Sequence, residues 1–401
     1  MSAVPVSRPE PGSLPLAQAA AWSFVLYVAV LPWSIAAMSI GVGLCVALTV
    51  AAWLMRSGPR WQRSPVDLAG FFWLVALALA AWFGIDRGAS MPRITKGLMP
   101  LIVGLAASHA AAGPRGRRAV AVLLASSALV AVLGIALWVG AGASFAQRAS
   151  GMSGHYMTFG GQLLLVIPVA VAIALCAREK YWRLGAAAVA AVTLVALAVT
   201  FTRSAWIGLG VSLAVILGAR RPVGLLVLAA LALFAYQYAP GAWHDRLHSA
   251  FDLYHASNRE RLFMWEAGLR MFRDHPVTGV GLQDLHAIYD RYRSPESTEP
   301  AGHLHSVWIQ IAATMGAVGL AAFAFLYGSL VRSAASGLRA QLPRGGVGAG
   351  VRLGVTAALA GFMVAGFFEW NFGDEELLHQ LYVLVGLAWA ARSWDLEPWQ
   401  R

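Results

Sequence analysis

Arg203 lies in Phe201-Thr202-Arg203-Ser204-Ala205-Trp206, a polar turn between two apolar runs. The stretch from Leu184 to Ala219 is too short for two full membrane spans of about 20 residues plus a loop. The turn is therefore expected to be recessed toward the hydrocarbon, with its guanidinium below the headgroups. Charges that are expensive in lipid mark function more often than structure, although an arginine snorkelling to the interface is the plainer alternative. The guanidinium is a planar bidentate fork, and a phosphate in a membrane cavity is the ligand it suits. The second feature is His303-Leu304-His305-Ser306, which opens the apolar run Val307-Trp308-Ile309-Gln310-Ile311. An imidazole at a helix N-terminus feels the positive end of the macrodipole, which disfavours its protonated form. Neutral imidazole facing an aqueous pocket is what a general base near pH 7 requires. A helix-capping cluster, a pair of interfacial histidines or a zinc site are the alternatives. Two histidines at i and i+2 lack an obvious third ligand, and neither HExxH nor a cysteine pair is present, so neither a metal nor another cofactor is expected.

A third stretch, Ser257-Asn258-Arg259-Glu260-Arg261-Leu262-Phe263-Met264-Trp265, precedes His275-Pro276-Val277-Thr278-Gly279-Val280-Gly281. Arg259 and Arg261 are candidate anion ligands, or else surface charges paired with Glu260 or Glu266. Gly279 and Gly281 suggest a tight turn; a phosphate-binding glycine loop is the weaker reading, because no strand precedes them. Smaller candidates are His155, Arg291 and Arg293, and the acidic turn from Glu369 to Glu376.

The elements that must carry these groups follow from composition. Of 401 residues, 59% are hydrophobic and 12% charged, against about 25% charged in soluble domains. Net charge is +11, but the cations are scattered through short loops instead of forming a patch, which argues against nucleic acid. Cys45 and Cys176 both lie in apolar stretches, so a disulfide framework is excluded. The chain reads as an all-α polytopic membrane protein embedded in a lipid bilayer.

Twelve apolar windows are expected to span: Leu16–Leu31, Trp33–Leu54, Val66–Phe83, Ile94–Ala112, Ala119–Val139, Thr158–Cys176, Leu184–Phe201, Ala205–Leu217, Val223–Tyr238, Ser306–Leu330, Val351–Phe372 and Leu377–Ala391. The first two could instead be one element kinked near Pro32. Residues 1–15 and 392–401 are then tails, 16–239 hold spans one to nine, 240–304 form one large loop, and 305–391 hold the last three spans. The loops Arg56–Arg63, Pro114–Arg118, Arg178–Arg183, Arg220–Arg221 and Arg332–Arg344 are rich in arginine, which places them and both tails in the cytoplasm. The 240–304 loop faces the periplasm if the host has two membranes; it is expected to be mostly helical, with an amphipathic helix over Phe251–Phe272. Residues 240–305 hold seven of the ten histidines and nine of the nineteen acids. Arg203, His155, the histidine pair and the acidic turn all fall on that same outer face. A transporter, the rival of a different class, would instead place polar groups at mid-membrane in broken helices.

At these residues the sequence resembles the O-antigen ligase and polymerase family. The hallmark is His305-Ser306, the nine residues Val307–Met315, then Gly316-Ala317-Val318-Gly319. Thr202-Arg203-Ser204-Ala205-Trp206, Arg261-Leu262-Phe263-Met264-Trp265 with Asp274-His275-Pro276, His155-Tyr156-Met157-Thr158 and the Glu369–Asp374 turn also match family usage. Ser306 departs from the commoner Asn, but Ser caps a helix equally well. The resemblance implies an inner-membrane, metal-independent, inverting glycosyltransferase. Undecaprenyl-pyrophosphate-linked O-antigen would be transferred to a sugar hydroxyl of lipid A–core during lipopolysaccharide biosynthesis. By position, His305 is then the catalytic base with His303 second, while Arg203 and Arg261 match essential arginines; Arg259, Arg293 and His155 complete the expected substrate-binding set. A polymerase joining two undecaprenyl-linked chains would need the same donor clamp. The single late loop beside the histidine motif favours the ligase.

Overall fold

A computed structural model describes residues 13–239, 241–249, 252 and 254–395; of the expected tails, only residues 13–15 and 392–395 are among them. All regular secondary structure among the described residues is helical. The N-terminal half comprises α1 (Ser13–Val30), α2 (Ile35–Leu54), α3 (Pro65–Phe83), the short α4 (Arg87–Ser90), α5 (Leu101–Ala110) and α6 (Gly113–Gly140). Then come α7 (Tyr156–Cys176), α8 (Lys180–Val199), α9 (Arg203–Arg220) and α10 (Gly224–Tyr238). The large loop supplies α11 (Gly241–His248), α12 (Ala256–Asp274) and α13 (His286–Tyr292). The chain ends with α14 (Val307–Ala335), α15 (Leu338–Gln341), α16 (Val347–Ala365) and α17 (Glu375–Ala390).

Every expected span coincides with a helix, but the count of twelve is not reproduced by length and composition. Among the described residues seven helices are long and apolar enough to cross a membrane, or eight if α10 and α11, bent by 110°, count as one. The shortfall has local causes. The Ile94–Ala112 window is divided into a 3-10 segment, Met91–Leu98, and the ten-residue α5, with Pro92 and Pro100 denying the backbone the donors a continuous helix needs. α10 and α17, of 15 and 16 residues, are short. The Val351–Phe372 window still supplies one of the seven as α16 but stops being helical at Ala365, and its last residues form the turn that carries Glu369. The two N-terminal windows are separate: Gly41 of α2 lies against the Tyr27 backbone of α1, so the chain reverses at Leu31–Ser34.

Packing in the buried centre relies on small residues that let backbones approach, the usual device where lipid removes the hydrophobic drive between helices. A methyl group on Gly361 of α16 would stand 2.2 Å from the Gly208 carbonyl oxygen of α9. Ser212 tightens the same crossing by donating to the Ala357 carbonyl at 2.9 Å. α7, α9 and α16 are thereby locked together, with α17 packed beside them.

The helices have two chemically distinct ends. At one, the arginine-rich loops meet: Arg178 donates to the Arg344 carbonyl, Arg220 to Leu342, and Arg117 pairs with Glu179 and Asp395. The opposite end carries His155, the start of α9, the start of α14 and the α16–α17 turn, covered by the large loop. That loop has its own apolar centre, built from Met264, Met271, Val280, Leu285, Ile288 and Tyr289 against Leu304 and Ala313. The amphipathic helix expected over Phe251–Phe272 is α12; it stops at Asp274, two residues before Pro276, a residue that cannot continue a helix.

Candidate active site

The histidine pair enters α14 much as its spacing suggests. Ser306 is the N-cap, its hydroxyl accepting from the Ile309 amide. His305, one residue earlier, has φ 46°, in the left-handed region that non-glycine residues rarely occupy. Such strain persists only where surrounding contacts over-determine it, and it clusters at functional sites. Phe201, at the turn that presents Arg203, shares the feature with φ 51°; its buried ring is wedged among Trp138, Phe145, Trp206 and Trp243.

The nine-residue spacing from His305-Ser306 to Gly316 also has a geometric cause. Gly316 breaks the α14 ladder with φ 62° and ψ −158°, a combination essentially restricted to glycine. Into the break fits the segment after α12. Pro276 and Val277 accept from the Ala317 and Val318 amides, while the Val280 and Gly281 amides donate to Ala313 and Thr314. Gly279 and Gly281, with φ 70° and 105°, make the tight turn. The Gly-x-x-Gly motif thus anchors the large loop to the helix whose first residues hold His305.

Glu369 is the centre of the site, and the residue whose role the spacing did not single out. Its Oε1 accepts from His305 Nδ1 at 2.9 Å and from the Trp370 amide at 3.1 Å. His303 Nε2 lies 3.6 Å from the same oxygen, and Arg261 Nη2 lies 3.3 Å from Oε2. Burial by itself would raise the Glu369 pKa. Bonds from His303 and His305, with the charges of His305 and Arg261, outweigh burial and hold the carboxyl far below its ordinary value. An ionised carboxylate can only accept, so His305 must carry its proton on Nδ1, leaving the Nε2 lone pair available. Nearby Asp374 goes the other way: burial pushes it up and the Glu369 charge adds to that, against the Thr158 hydroxyl bond at 2.9 Å.

Four arginines gather around this core. Arg203 is buried and donates four hydrogen bonds, to the Ser249 carbonyl and hydroxyl, the Ser257 hydroxyl and Asn258 Oδ1, at 2.6–3.1 Å. Arg261 lies within electrostatic range of it. Arg246, bonded to the Phe201 carbonyl, and Arg148, stacked over Phe145 and Tyr156, complete the group; each pair among Arg148, Arg203, Arg246 and Arg261 that involves Arg203 or Arg246 interacts. Glu369 is the one carboxylate ion-paired to the four among the described residues. His155 stacks on Tyr156 with centroids 4.7 Å apart and feels Glu369, His303, His305 and Arg148. Its own burial is the largest influence and lowers its pKa, favouring neutral imidazole.

Of the residues singled out by sequence, the structure therefore brings together His155, Arg203, Arg261, His303 and His305. Arg259 and Arg293 are placed elsewhere. Arg259 pairs with Glu296 at 2.6 Å with both groups more than half exposed, and Arg293 pairs with Asp290 within its own helix turn at 3.2 Å. Alternation along α12 is the reason: Arg261 points to the α16–α17 turn, whereas Arg259, two residues earlier, faces solvent. Arg148 and Arg246 belong to none of the motifs: Arg148 has no charged residue beside it, and Arg246 lies in His244-Asp245-Arg246-Leu247-His248, where its polar neighbours read as an ordinary exposed loop.

His303, His305 and Glu369 offer ligand atoms within 4.8 Å of one another, enough for a metal ion. An ion there would sit beside the Arg261 guanidinium and compete for the oxygen that orients His305, two costs that make the set a poor cation site. The same groups have the composition of an organic acid–base centre: a carboxylate that fixes the His305 tautomer, an imidazole with its second nitrogen free of a hydrogen bond among the described residues, and guanidinium groups that supply positive charge.

Residues 188–324 match the family model described as O-antigen ligase. The segment runs from within α8 into α14; it includes Arg203, Arg261, His303, His305 and Gly316 but not His155 or Glu369. No curated protein matches the chain. The resemblance read from the motifs is thus met over roughly a third of the chain, residues 188–324 being similar to the O-antigen ligase family within a helical protein with multiple apolar helices.

Proposed function

We propose that the chain is an O-antigen ligase of the inner membrane, working at its periplasmic face. It would transfer a glycan from undecaprenyl pyrophosphate to a sugar hydroxyl of lipid A–core, without a metal. The observation that supports this reading is the convergence of four arginines and the Glu369–His305 couple, with Glu369 also paired to Arg261, at a single end of the helices. Transfer from a pyrophosphate-linked sugar needs two things: the leaving group's growing charge must be offset, and the nucleophile must be aimed. Arginines shielded from water do the first, since charge interactions strengthen as the effective dielectric falls. His305 Nε2 does the second, taking the acceptor hydroxyl's proton as that oxygen attacks the anomeric carbon and the pyrophosphate departs from the opposite face. Arg203 now serves neutral oxygens of Ser249, Ser257 and Asn258; exchanging these for anionic phosphate oxygens gives stronger, charge-assisted bonds. The arginine-rich loops at the other end support the orientation, by the positive-inside rule.

The test is a lipopolysaccharide gel from a deletion strain complemented with wild-type protein or His305→Ala. Expected is loss of capped core in the deletion strain while undecaprenyl-linked polymer persists, rescue by wild type, and no rescue by the variant at normal abundance. Single repeat units on the core would indicate a polymerase instead. Capped core restored by His305→Ala would reject the base assignment.

A further inference from the structure

Beside the histidine–carboxylate couple lies a cavity of about 140 Å³, none of whose lining residues belongs to the four-arginine cluster. Its rim includes Gly302 and Trp370, the residues next to His303 and Glu369 in the chain. Arg93 and Lys96, from the 3-10 segment before α5, enter it from the N-terminal half, opposite Gln310, Trp370 and Tyr382. Arg93 spends one guanidinium nitrogen on the Leu282 carbonyl at 2.7 Å, leaving the others for a ligand. Lys96 is held 3.2 Å from Glu375. Gln310 is 6% exposed; its Oε1 accepts from the Leu304 amide at 2.8 Å, while its Nε2 donates to no group among the described residues. Gln310 lines the cavity, so that amide nitrogen is available to an oxygen of a ligand seated there.

We propose that this cavity is the acceptor subsite and that it takes a hexose carrying an anionic substituent, a phosphate or a carboxylate. The word acceptor rests on the ligase reading above; the ligand chemistry rests on the cavity alone. Trp370 offers an aromatic surface to a sugar ring, Gln310 Nε2 donates to a ring substituent, and Arg93 with Lys96 faces the negative group. A sugar seated there has its hydroxyls toward Gly302 and Trp370, hence toward the His305 end of the site. Pairing with Glu375 keeps Lys96 in place when the site is empty. It also leaves the cavity less positive than the four-arginine cluster, so a single anion suits it better than a pyrophosphate.

The experiment uses the full-length chain in lipid nanodiscs and saturation-transfer NMR with hexose 6-phosphate, hexuronic acid and the neutral hexose as observed probes, and with inorganic phosphate, which has no carbon-bound proton, measured as a competitor against them. Expected is preferential binding of one charged sugar, about tenfold over both neutral hexose and inorganic phosphate; whichever charged sugar wins identifies the substituent. Arg93→Gln with Lys96→Gln should weaken that binding about tenfold. Gln310→Glu, which keeps the acceptor for the Leu304 amide but replaces the free donor, should weaken it similarly with an unchanged melting temperature. Arg203→Ala should leave it intact. Equal binding of inorganic phosphate would overturn the sugar part, and equal binding of neutral hexose the anionic part. Binding lost in Arg203→Ala but kept in the cavity variants would place the ligand in the donor clamp and overturn the subsite. Because no transfer is measured, a negative result here is separable from failure of the lipopolysaccharide gel, which would remove the ligase reading and leave a charged-sugar site.

Discussion

Glu369 receives a proton donor on each oxygen, from His305 on one side and Arg261 on the other, so its charge and position are both fixed. Its folded-state pKa is depressed, so the stability it contributes is intact above the ordinary glutamate value of about 4.3 and is lost as pH falls through the lower, folded value. Across neutral pH it therefore stays ionised. Glu369→Gln removes that charge and lets the amide present either a donor or an acceptor to Nδ1. The expected outcome is a fall in turnover of about 10²–10⁴, the range for a general base that is lost or misaligned, with little change in the donor's KM. Loss of the neighbouring negative charge should also move the acid limb of the pH–rate profile to lower pH. An unchanged profile with lowered abundance would reduce Glu369 to a structural role. Arg203 is tested by its shape: Arg203→Lys keeps the charge but cannot serve oxygens in a planar fork. It should recover only part of what Arg203→Ala loses, measured as donor KM; full recovery would mean a simple counter-charge.

At the scale of elements, α14 is two helices joined at Gly316, and the join is where the large loop is fastened. A methyl at Gly316 would stand 2.4 Å from the Val277 backbone and would meet a backbone conformation closed to L-residues, a strain of about 1–3 kcal/mol. Gly316→Ala is accordingly expected to lower the melting temperature and to expose the α12–α13 loop to protease. It should also reduce transfer, because Arg261 on α12 and His305 on α14 meet at Glu369 only when the loop is seated. Normal protease resistance in this variant would show that the join does not hold the loop. Ser306→Ala tests the other end of the first helix: loss of the N-cap costs about 1 kcal/mol, and Ser306→Asn should cost almost nothing.

For the whole molecule, the decisive property is that the arginine-rich loops and the His–Arg–Glu site occupy opposite ends of one helical assembly. Single cysteines placed at Ser153, beside His155, and at Gly337, in the arginine-rich end, should label from opposite sides of the membrane in a background where Cys45 and Cys176 are replaced. Ser153 should react with an impermeant maleimide in intact spheroplasts and Gly337 only after lysis. Both reacting from the same side would break the topology on which the periplasmic site depends. The α10–α11 bend belongs to this scale as well. α10 buries no residue, and Leu226, Leu231, Leu233 and Phe234 are exposed, so this helix faces lipid and not the core.

Composition and periodicity alone determined an all-helical membrane protein, nearly all of its helix positions, and the single polar loop. Lipid imposes these because every backbone group must be satisfied within its own helix. Two kinds of site residue were also legible: Arg203, for its cost in an apolar setting, and His305 with Gly316, whose spacing records the cap and the kink. Length is where the sequence misled, since Pro92 and Pro100 divide one apolar window and a turn consumes the end of another. Only the tertiary structure decided that Glu369 orients His305, that Arg148 and Arg246 join the cluster, and that Arg259 and Arg293 stand outside it. Those outcomes depend on which face of each helix turns inward and on contacts between residues up to 108 positions apart, as for Arg261 and Glu369, which no local pattern encodes.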